Sequence, residues 1–487
     1  MRRESIVGRE AEKKALKKIL SSKKAEFVAV YGRRRVGKTY LIREYFSHQH
    51  CVFFHASGIQ GGRLSIQLKE FSKEIGRVFY GKNVQLQAPD QWMDAFQMLT
   101  EAIESKQEKK VIIFLDEFPW MAAHKSYLLQ ALDYYWNRFW VSNASIKLIV
   151  CGSAASCVIK NILNSRGGLH NRVTLRLPIA AFSLLETQDF LRSLGIRYNA
   201  YQVAQVYMCM GGIPYYLDAM EKGLSPTQNI NQLCFQKKGT LLDEFSNLFD
   251  SLFAESSMHK ILVSLMATKR EGVTRLEIER SLGYKGGRLT LKLTELEQAG
   301  FIMPFLPQGR SQKGYYYKIT DEYVLFYLTW ISPFLSLRTL PSLDHQFWIE
   351  TSQSSSWKAW AGLAFESLCF KHIDQIKKTL KIPSGSYATS MRYVPKNNSK
   401  EEGLQIDLLF DRNDGIVHLC EIKYSNKPYV LDKTYAMALR RKVDLYEKIS
   451  KTEKQVVLSM ITTFGVKPGI YKEELIDSEV VLQDLFA

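Results

Sequence analysis

Residues 26–45 read EFVAVYGRRRVGKTYLIREY, and the fold turns on this stretch. Its first part, EFVAVY, has the β-branched and aromatic composition of a buried strand. GRRRVGKT follows, and the apolar spacing after Lys38 is that of an amphipathic helix. A strand feeding a G-x-x-x-x-G-K-T turn and then a helix is a phosphate cradle. Gly32 and Gly37 let the backbone curl, so that the amides of Arg33, Arg34, Arg35 and Val36 can face a phosphate chain. The helix N-terminus adds partial positive charge. Lys38 is placed to reach β and γ oxygens, and Thr39 to hold Mg²⁺. Tyr40 closes the segment expected to contact nucleotide. ATP with Mg²⁺ is the implied cofactor pair.

A second element agrees. VIIFLDEFPW, residues 111–120, is a continuous apolar run ending in Asp116 and Glu117. Such a run suits a parallel strand covered on both faces. Asp116 is expected in the Mg²⁺ shell, and Glu117 to orient or deprotonate the attacking water. A strand that merely ends in solvated acids would read the same alone; beside the phosphate loop the sharper reading is favoured. IKLIVCGS ends at Ser153, a position from which a hydroxyl can sense the γ-phosphate, although serine is also an ordinary turn residue. Strands at 51–56 and 173–178 complete a five-stranded α/β sheet with ligands at its carboxyl ends. His48 and His50, close to Cys51, read as loop and strand residues rather than a zinc site.

The chain is long enough for several cores, at 487 residues. Its 66 Lys and Arg against 49 acidic residues give +17, which favours a polyanionic partner: nucleic acid, or anionic lipid on charge alone. The apolar runs are strand-length, far short of the roughly 18 residues a membrane helix needs. MRRESIVGRE turns charged again before any signal-like stretch develops. Seven cysteines without a CxxC pair suit reduced thiols, and a cytoplasmic location without a membrane is expected. Self-association is left open and any protein partner is unknown.

SIVGREAEKKAL, GRRRVGKT, FLDEFPW, CGSAAS and GGIPYYL together resemble the prokaryotic archaeal-type ATPases, a branch near the AAA+ and STAND NTPases. The resemblance runs over nearly the whole chain and implies an α/β multidomain protein with a P-loop, ASCE/AAA+-like parallel-sheet core. It further implies that Gly8, Arg9 and Glu10 lie near the adenine. Gly212 and Pro214, in a helical lid, would lie near the nucleotide, and Arg172 near the γ-phosphate. A surface arginine is the plain alternative for Arg172.

Residues 183 to 250 read as helices without a catalytic constellation. Beyond them, Thr274 and Glu277 form a capping-box pair, and Gly283, Gly286 and Gly287 mark a turn. Leu289, Leu293 and Leu296 have core spacing, and two β-like runs flank QGRSQKG. Helix, helix, helix, hairpin is the winged helix-turn-helix order. Lys260 to Lys318 holds eleven basic residues against five acidic ones. Arg288 and Lys292 would face outward on the recognition helix, Arg310 and Lys313 on the wing. DNA binding is the sharp reading, a packing surface the plain one.

Residues 332 to 356 look like a boundary, followed by one helix through about 380 that carries Glu366. LQIDLLF then places Asp407 in an apolar strand, and DRNDG turns into IVHLCEIKYS. Strand alternation puts Glu421 and Lys423 on one face. With a loop of residues 411 to 415, Asp407 is expected opposite Leu419, on the same face and diagonal to Glu421. Carboxylates so gathered repel unless a divalent cation lies among them. This region resembles the PD-(D/E)xK nuclease fold, with QID where that fold's name expects PD. The resemblance implies Asp407, Glu421 and the Ile422 carbonyl as ligands of Mg²⁺ or Mn²⁺, Lys423 as catalytic lysine and Glu366 as the helix acid. An internal salt-bridge set without chemistry remains the alternative.

The resulting division is an ATPase core at 1–180, a helical lid at 181–254, a winged helix at 255–335 and an α/β nuclease-like domain at 336–487. ATP-dependent action on DNA is the leading expectation. A STAND-like switch that binds DNA or a protein partner through an inactive C-terminal domain is the second, and a protein held at a membrane surface by its charge the weakest.

Overall fold

The computed structural model describes residues 6–81, 84–106, 109–122, 125–152, 162, 171–253, 255–269, 272–305, 315–337, 346–393 and 403–487. Two compact units divide the chain: 1–181 with 294–300, and 182–293 with 301–487.

The first unit is built on strands β1 (Glu26–Tyr31), β2 (Val52–Ser57), β3 (Val111–Asp116), β4 (Ile146–Gly152) and β5 (Leu175–Pro178), ordered β2-β3-β4-β1-β5. Every pairing is parallel. β3 and β4 are buried along their full length, which is why their sequences are continuous apolar runs rather than alternating ones. Phe27, Phe54, Phe71, Trp92, Phe96 and Trp136 knit one face into a single core with the flanking helices. β1 lies between β4 and β5, while the next strand in sequence sits at the far edge. The loop after β1 therefore opens at a topological switch point, where open α/β sheets bind ligands.

The second unit starts with helices Leu184–Ser193, Ala200–Met210, Pro214–Asp218, Pro226–Phe235 and Glu244–Leu252. Capping boxes at Ser183, Asn199 and Ser225 start three of them. Helix Ser256–Ala267, strand β6 (Val273–Thr274), helices Arg275–Leu282 and Gly286–Gln298, and strands β7 (Ile302–Phe305) and β8 (Tyr316–Ile319) follow, with sheet order β6-β8-β7. The Thr274–Glu277 capping box forms, and Leu289, Leu293 and Leu296 are buried. Arg310 and Lys313 lie outside the described residues.

The stretch read as a boundary packs tightly where it is described. Trp348 is 1% exposed, its ring stacked on Phe235 at 5.1 Å, and its amide donates to Asn231 Oδ1 at 3.1 Å. Phe326, Trp330 and Trp357 surround it. The expected single helix breaks at His372 into Ser355–Lys371 and Ile373–Thr379. That imidazole is buried, bonds Leu368 O through Nδ1 and accepts the Leu184 amide at Nε2, 3.2 Å away. Burial holds it below its ordinary pKa, in keeping with a neutral ring that donates once and accepts once.

The last sheet orders β9 (Tyr387–Tyr393), β10 (Leu404–Asp411), β11 (Ile416–Lys423), β12 (Gln455–Thr462) and β13 (Ser478–Val481) as β13-β12-β11-β10-β9. β9, β10 and β11 pair antiparallel; β11, β12 and β13 pair parallel. Helix Lys433–Ser450 is the crossover that the parallel β11–β12 pair requires. Its register corrects one expectation. Asp411 stays in the ladder opposite Val417, the turn closes with Arg412 donating to Ile416 O, and Leu409, not Asp407, faces Leu419. Continued by one residue beyond Leu408–Cys420, that register brings Asp407 across from Glu421. The slip is an even number of residues, so the face is unchanged. No helix among the described residues is long and apolar enough to cross a membrane.

Candidate functional site

Gly32 adopts φ 151°, and a Cβ there would stand 2.2 Å from Ile179 O, so only glycine lets the loop leave β1 this way. Gly37, at φ 86°, ends the loop and caps helix Lys38–Ser47. Lys38 is 6% exposed; its ammonium folds back to donate to the carbonyls of Gly32 at 3.1 Å and Arg33 at 2.9 Å. Burial draws it below its ordinary pKa, against the opposing charges of Glu117 and Asp116.

Across the sheet, Thr39 Oγ1 donates to Asp116 Oδ2 at 2.8 Å. Burial would raise the Asp116 carboxyl, but His55 and Thr39 outweigh it and hold it below its ordinary value. A hydroxyl and an ionised carboxylate meeting here are the hard oxygen donors Mg²⁺ takes, so Thr39 and Asp116 fit that ion. Glu117 follows in a left-handed conformation at φ 44°, unusual for a side-chain-bearing residue.

Arg9, itself left-handed at φ 60° and 5% exposed, donates to Val36 O at 3.1 Å. It thereby ties the GRE segment to the phosphate loop. Gly8 is also left-handed, and Glu10 is exposed and pairs with Lys13. Arg33 is buried and donates to Arg34 O; Arg35 is left-handed, and Tyr40 is 47% exposed. Arg172 is exposed just before β5. Ser153 lies outside the described residues. Gly212 and Pro214 belong to the second unit: a Cβ on Gly212 would stand 2.0 Å from Phe182 O, and Pro214 opens its helix.

The second unit has its own cluster. Glu421, 4% exposed, accepts from Lys423 at 2.8 Å, from Lys442 at 2.6 Å and from the Tyr435 hydroxyl. Asp407 Oδ2 accepts the Ile422 amide at 3.0 Å. Glu366, on the helix against β11, feels both carboxylates. Burial first, then the Asp407 charge, pushes Glu366 up to about 8, and burial with Glu421 pushes Asp407 to about 6. Glu421 is held low, its burial outweighed by Lys423 and Lys442; Lys423 is held above its ordinary value because Glu421 outweighs its burial. The sequence reading thus named four residues that the fold brings together.

Among the described residues, no three His, Cys, Asp or Glu side chains form a ready metal shell. Asp407 and Glu421 have the donor chemistry of a hard-cation site, but Glu421 must exchange lysine contacts for the ion. Ile422 enters through its amide, which donates to Asp407.

Residues 6–220 match the family described as an ATPase domain predominantly from Archaea. An uncharacterised protein of Methanocaldococcus jannaschii is 26% identical over 452 residues, 91% of this chain and 94% of that protein. Similar solved structures include the Walker-type ATPase of Pyrococcus abyssi, at 17% identity and TM-score 0.48, covering 67% of this chain and 97% of that one. The ORC2 protein of Aeropyrum pernix, in ADPNP–ADP complexes, has 12% identity and TM-score 0.42, covering 69% and 96%.

Several site residues escaped the sequence reading. In the first unit, His55 Nε2 lies 3.6 Å from Asp116 Oδ2, its ring stacked on Phe114 at 4.8 Å. A histidine near the end of an apolar strand, CVFFHAS, was the available signal. Tyr435 and Lys442 sit seven residues apart on one helix, a two-turn spacing that aims both at one point, but nothing in sequence says at what. Lys318, on β8, stands over the Phe370 ring at 4.4 Å and weighs on Glu366.

Proposed function

We propose that the chain binds and hydrolyses ATP at the loop Gly32–Thr39, and that its nucleotide state governs engagement and metal-dependent cleavage of DNA by the second unit. The 2.8 Å contact between Thr39 and Asp116, with Glu117 next in the chain, carries the first part. Mg²⁺ bound there would supply charge neutralisation to the phosphate chain. Thr39 and Asp116 would hold it, and Lys38 would swing from the Gly32 and Arg33 carbonyls to the β and γ oxygens of the nucleotide. Glu117 orients the attacking water and takes its proton. The water oxygen bonds to the γ phosphorus as the bond to the β-bridging oxygen breaks, its electron pair leaving on ADP.

Support for the DNA part comes from the run of helices and hairpin between Ser256 and Ile319, which follows winged-helix order. Arg288 is exposed on its third helix. DNA affinity should fall steeply with salt, because phosphate neutralisation releases counterions. Arg288→Glu with Lys292→Glu should flatten the log–log slope by about 2, roughly one per lost phosphate contact. An unchanged slope in a fluorescence-anisotropy titration moves the DNA surface elsewhere.

The switch reading is favoured by one observation: Lys423, Lys442 and Tyr435 already satisfy Glu421. Nicking of supercoiled DNA by the purified chain in Mn²⁺, lost in Lys423→Ala, separates the two. No nicking leaves a DNA-binding ATPase with an inert cluster.

A further inference from the structure

We infer that Arg34 is a second cation for the terminal phosphoryl group of a nucleoside triphosphate, supplied by the phosphate loop itself and braced by Trp120. The inference rests on reading Gly32–Thr39 as the nucleotide loop. Among the described residues, Arg34 Nη1 is buried yet has no hydrogen-bond partner. An orphaned guanidinium nitrogen is expensive, and folds retain such groups where a ligand completes them. The guanidinium carbon stands 5.9 Å from the Trp120 ring centroid, within cation–π range. Trp120 lies three residues beyond Glu117, so this contact spans from the phosphate loop to the segment carrying the water-orienting carboxylate.

Charge points the same way. Arg34 and Lys38 both belong to the short run GRRRVGKT, so two positive groups share one small loop. Like charges there repel until a polyanion lies between them, and a terminal phosphoryl carries more charge than the end of a diphosphate. Planar guanidinium also matches phosphoryl oxygens as a fork, which an ammonium does not. The neighbouring Arg33 and Arg9 are turned instead to backbone carbonyls, where they shape the loop. In the hydrolysis written above, Arg34 would neutralise charge on the γ oxygens while the bond to the bridging oxygen breaks; it neither gains nor loses a proton.

Steady-state ATPase assays and calorimetric titrations with ADP and with a non-hydrolysable ATP analogue, on the full chain, test this. Arg34→Ala should lower kcat by about 10³-fold, as removal of a phosphoryl-directed arginine does elsewhere. It should weaken the analogue while leaving ADP affinity within about twofold, since only the triphosphate has the group Arg34 meets. Arg34→Lys should stay well below wild type, because charge returns without the fork. Trp120→Leu should cost about 10-fold to 10²-fold in kcat at unchanged ADP affinity, the penalty of a misplaced group. A kcat for Arg34→Ala within threefold of wild type overturns the inference. So does equal weakening of ADP and analogue with a lower melting temperature, which marks a loop-shaping arginine. Absence of wild-type ATPase activity, or normal activity in Lys38→Ala, instead overturns the nucleotide-loop reading beneath it.

Discussion

Lys38→Ala is expected to remove ATP hydrolysis, a fall of about 10³-fold or more in kcat, because the ammonium that neutralises charge across the β and γ oxygens is lost. The structure sharpens the reason. Lys38 is buried and held below its ordinary pKa by that burial, so it gains most when an anion arrives. Glu117→Gln should behave differently. Thr39 and Asp116 are untouched, so Mg²⁺ and ATP still bind, while loss of the general base lowers turnover by about 10²–10⁴-fold. Phosphate release and retained nucleotide, measured on the same samples, distinguish the two. Normal hydrolysis in Lys38→Ala would end the nucleotide reading.

The cluster at Asp407, Glu421, Lys423 and Glu366 yields the second large effect. With a bound divalent ion, Asp407→Ala should lose Mn²⁺ affinity by calorimetry without nucleotide. Lys423→Ala should keep the metal and lose DNA cleavage by orders of magnitude. With only an ion set, Glu421 is the residue whose loss matters most, since it pairs with both lysines. Glu421→Ala would then destabilise the second unit toward the lower end of roughly 3–5 kcal/mol, because both lysines keep some contact with solvent. Asp407→Ala would cost about 1–3 kcal/mol by orphaning the Ile422 amide.

Acidity adds an independent axis to the same measurement. Glu366 is pushed up to about 8 and Asp407 to about 6, both above their ordinary values, so the folded state holds these protons more tightly than the unfolded chain. Their stabilising contribution is therefore full near pH 4 and lost as pH rises through 6 to 8. Glu366→Gln should raise the melting temperature at pH 8 and leave it unchanged near pH 4. An ion displaces these protons, so its affinity should fall as pH drops from 8 to 6. A Mn²⁺ affinity that ignores pH over that range places the ion elsewhere.

Local chemistry explains what was legible beforehand. The phosphate loop, β3 and its acids announce themselves because a few consecutive residues carry the whole motif. Alternation along β11 likewise put Glu421 and Lys423 on one face. The turn before β11 was misjudged by two pairs because Asp411 reads as a turn residue, yet stays in the ladder and binds Lys454. The even slip spared the conclusion. The partners Tyr435 and Lys442 lie 14 and 21 residues from Glu421, across a crossover whose docking no local pattern encodes. Trp348 falls in the stretch that reads as a boundary, because its partner Phe235 is more than a hundred residues away. Residues 182–293 and 301–487 form one compact unit that contains both rings.

DNA affinity of full-length Glu117→Gln, loaded with ATP and then with ADP at one salt concentration, tests the central claim most directly. This variant holds the triphosphate without consuming it, so the two nucleotide states can be compared at equilibrium. The account predicts affinities that differ by about 10-fold or more, a coupling of roughly 1.4 kcal/mol. It also predicts that Lys38→Ala shows no such difference. Equal affinity in both nucleotide states, or no DNA binding in either, would contradict it.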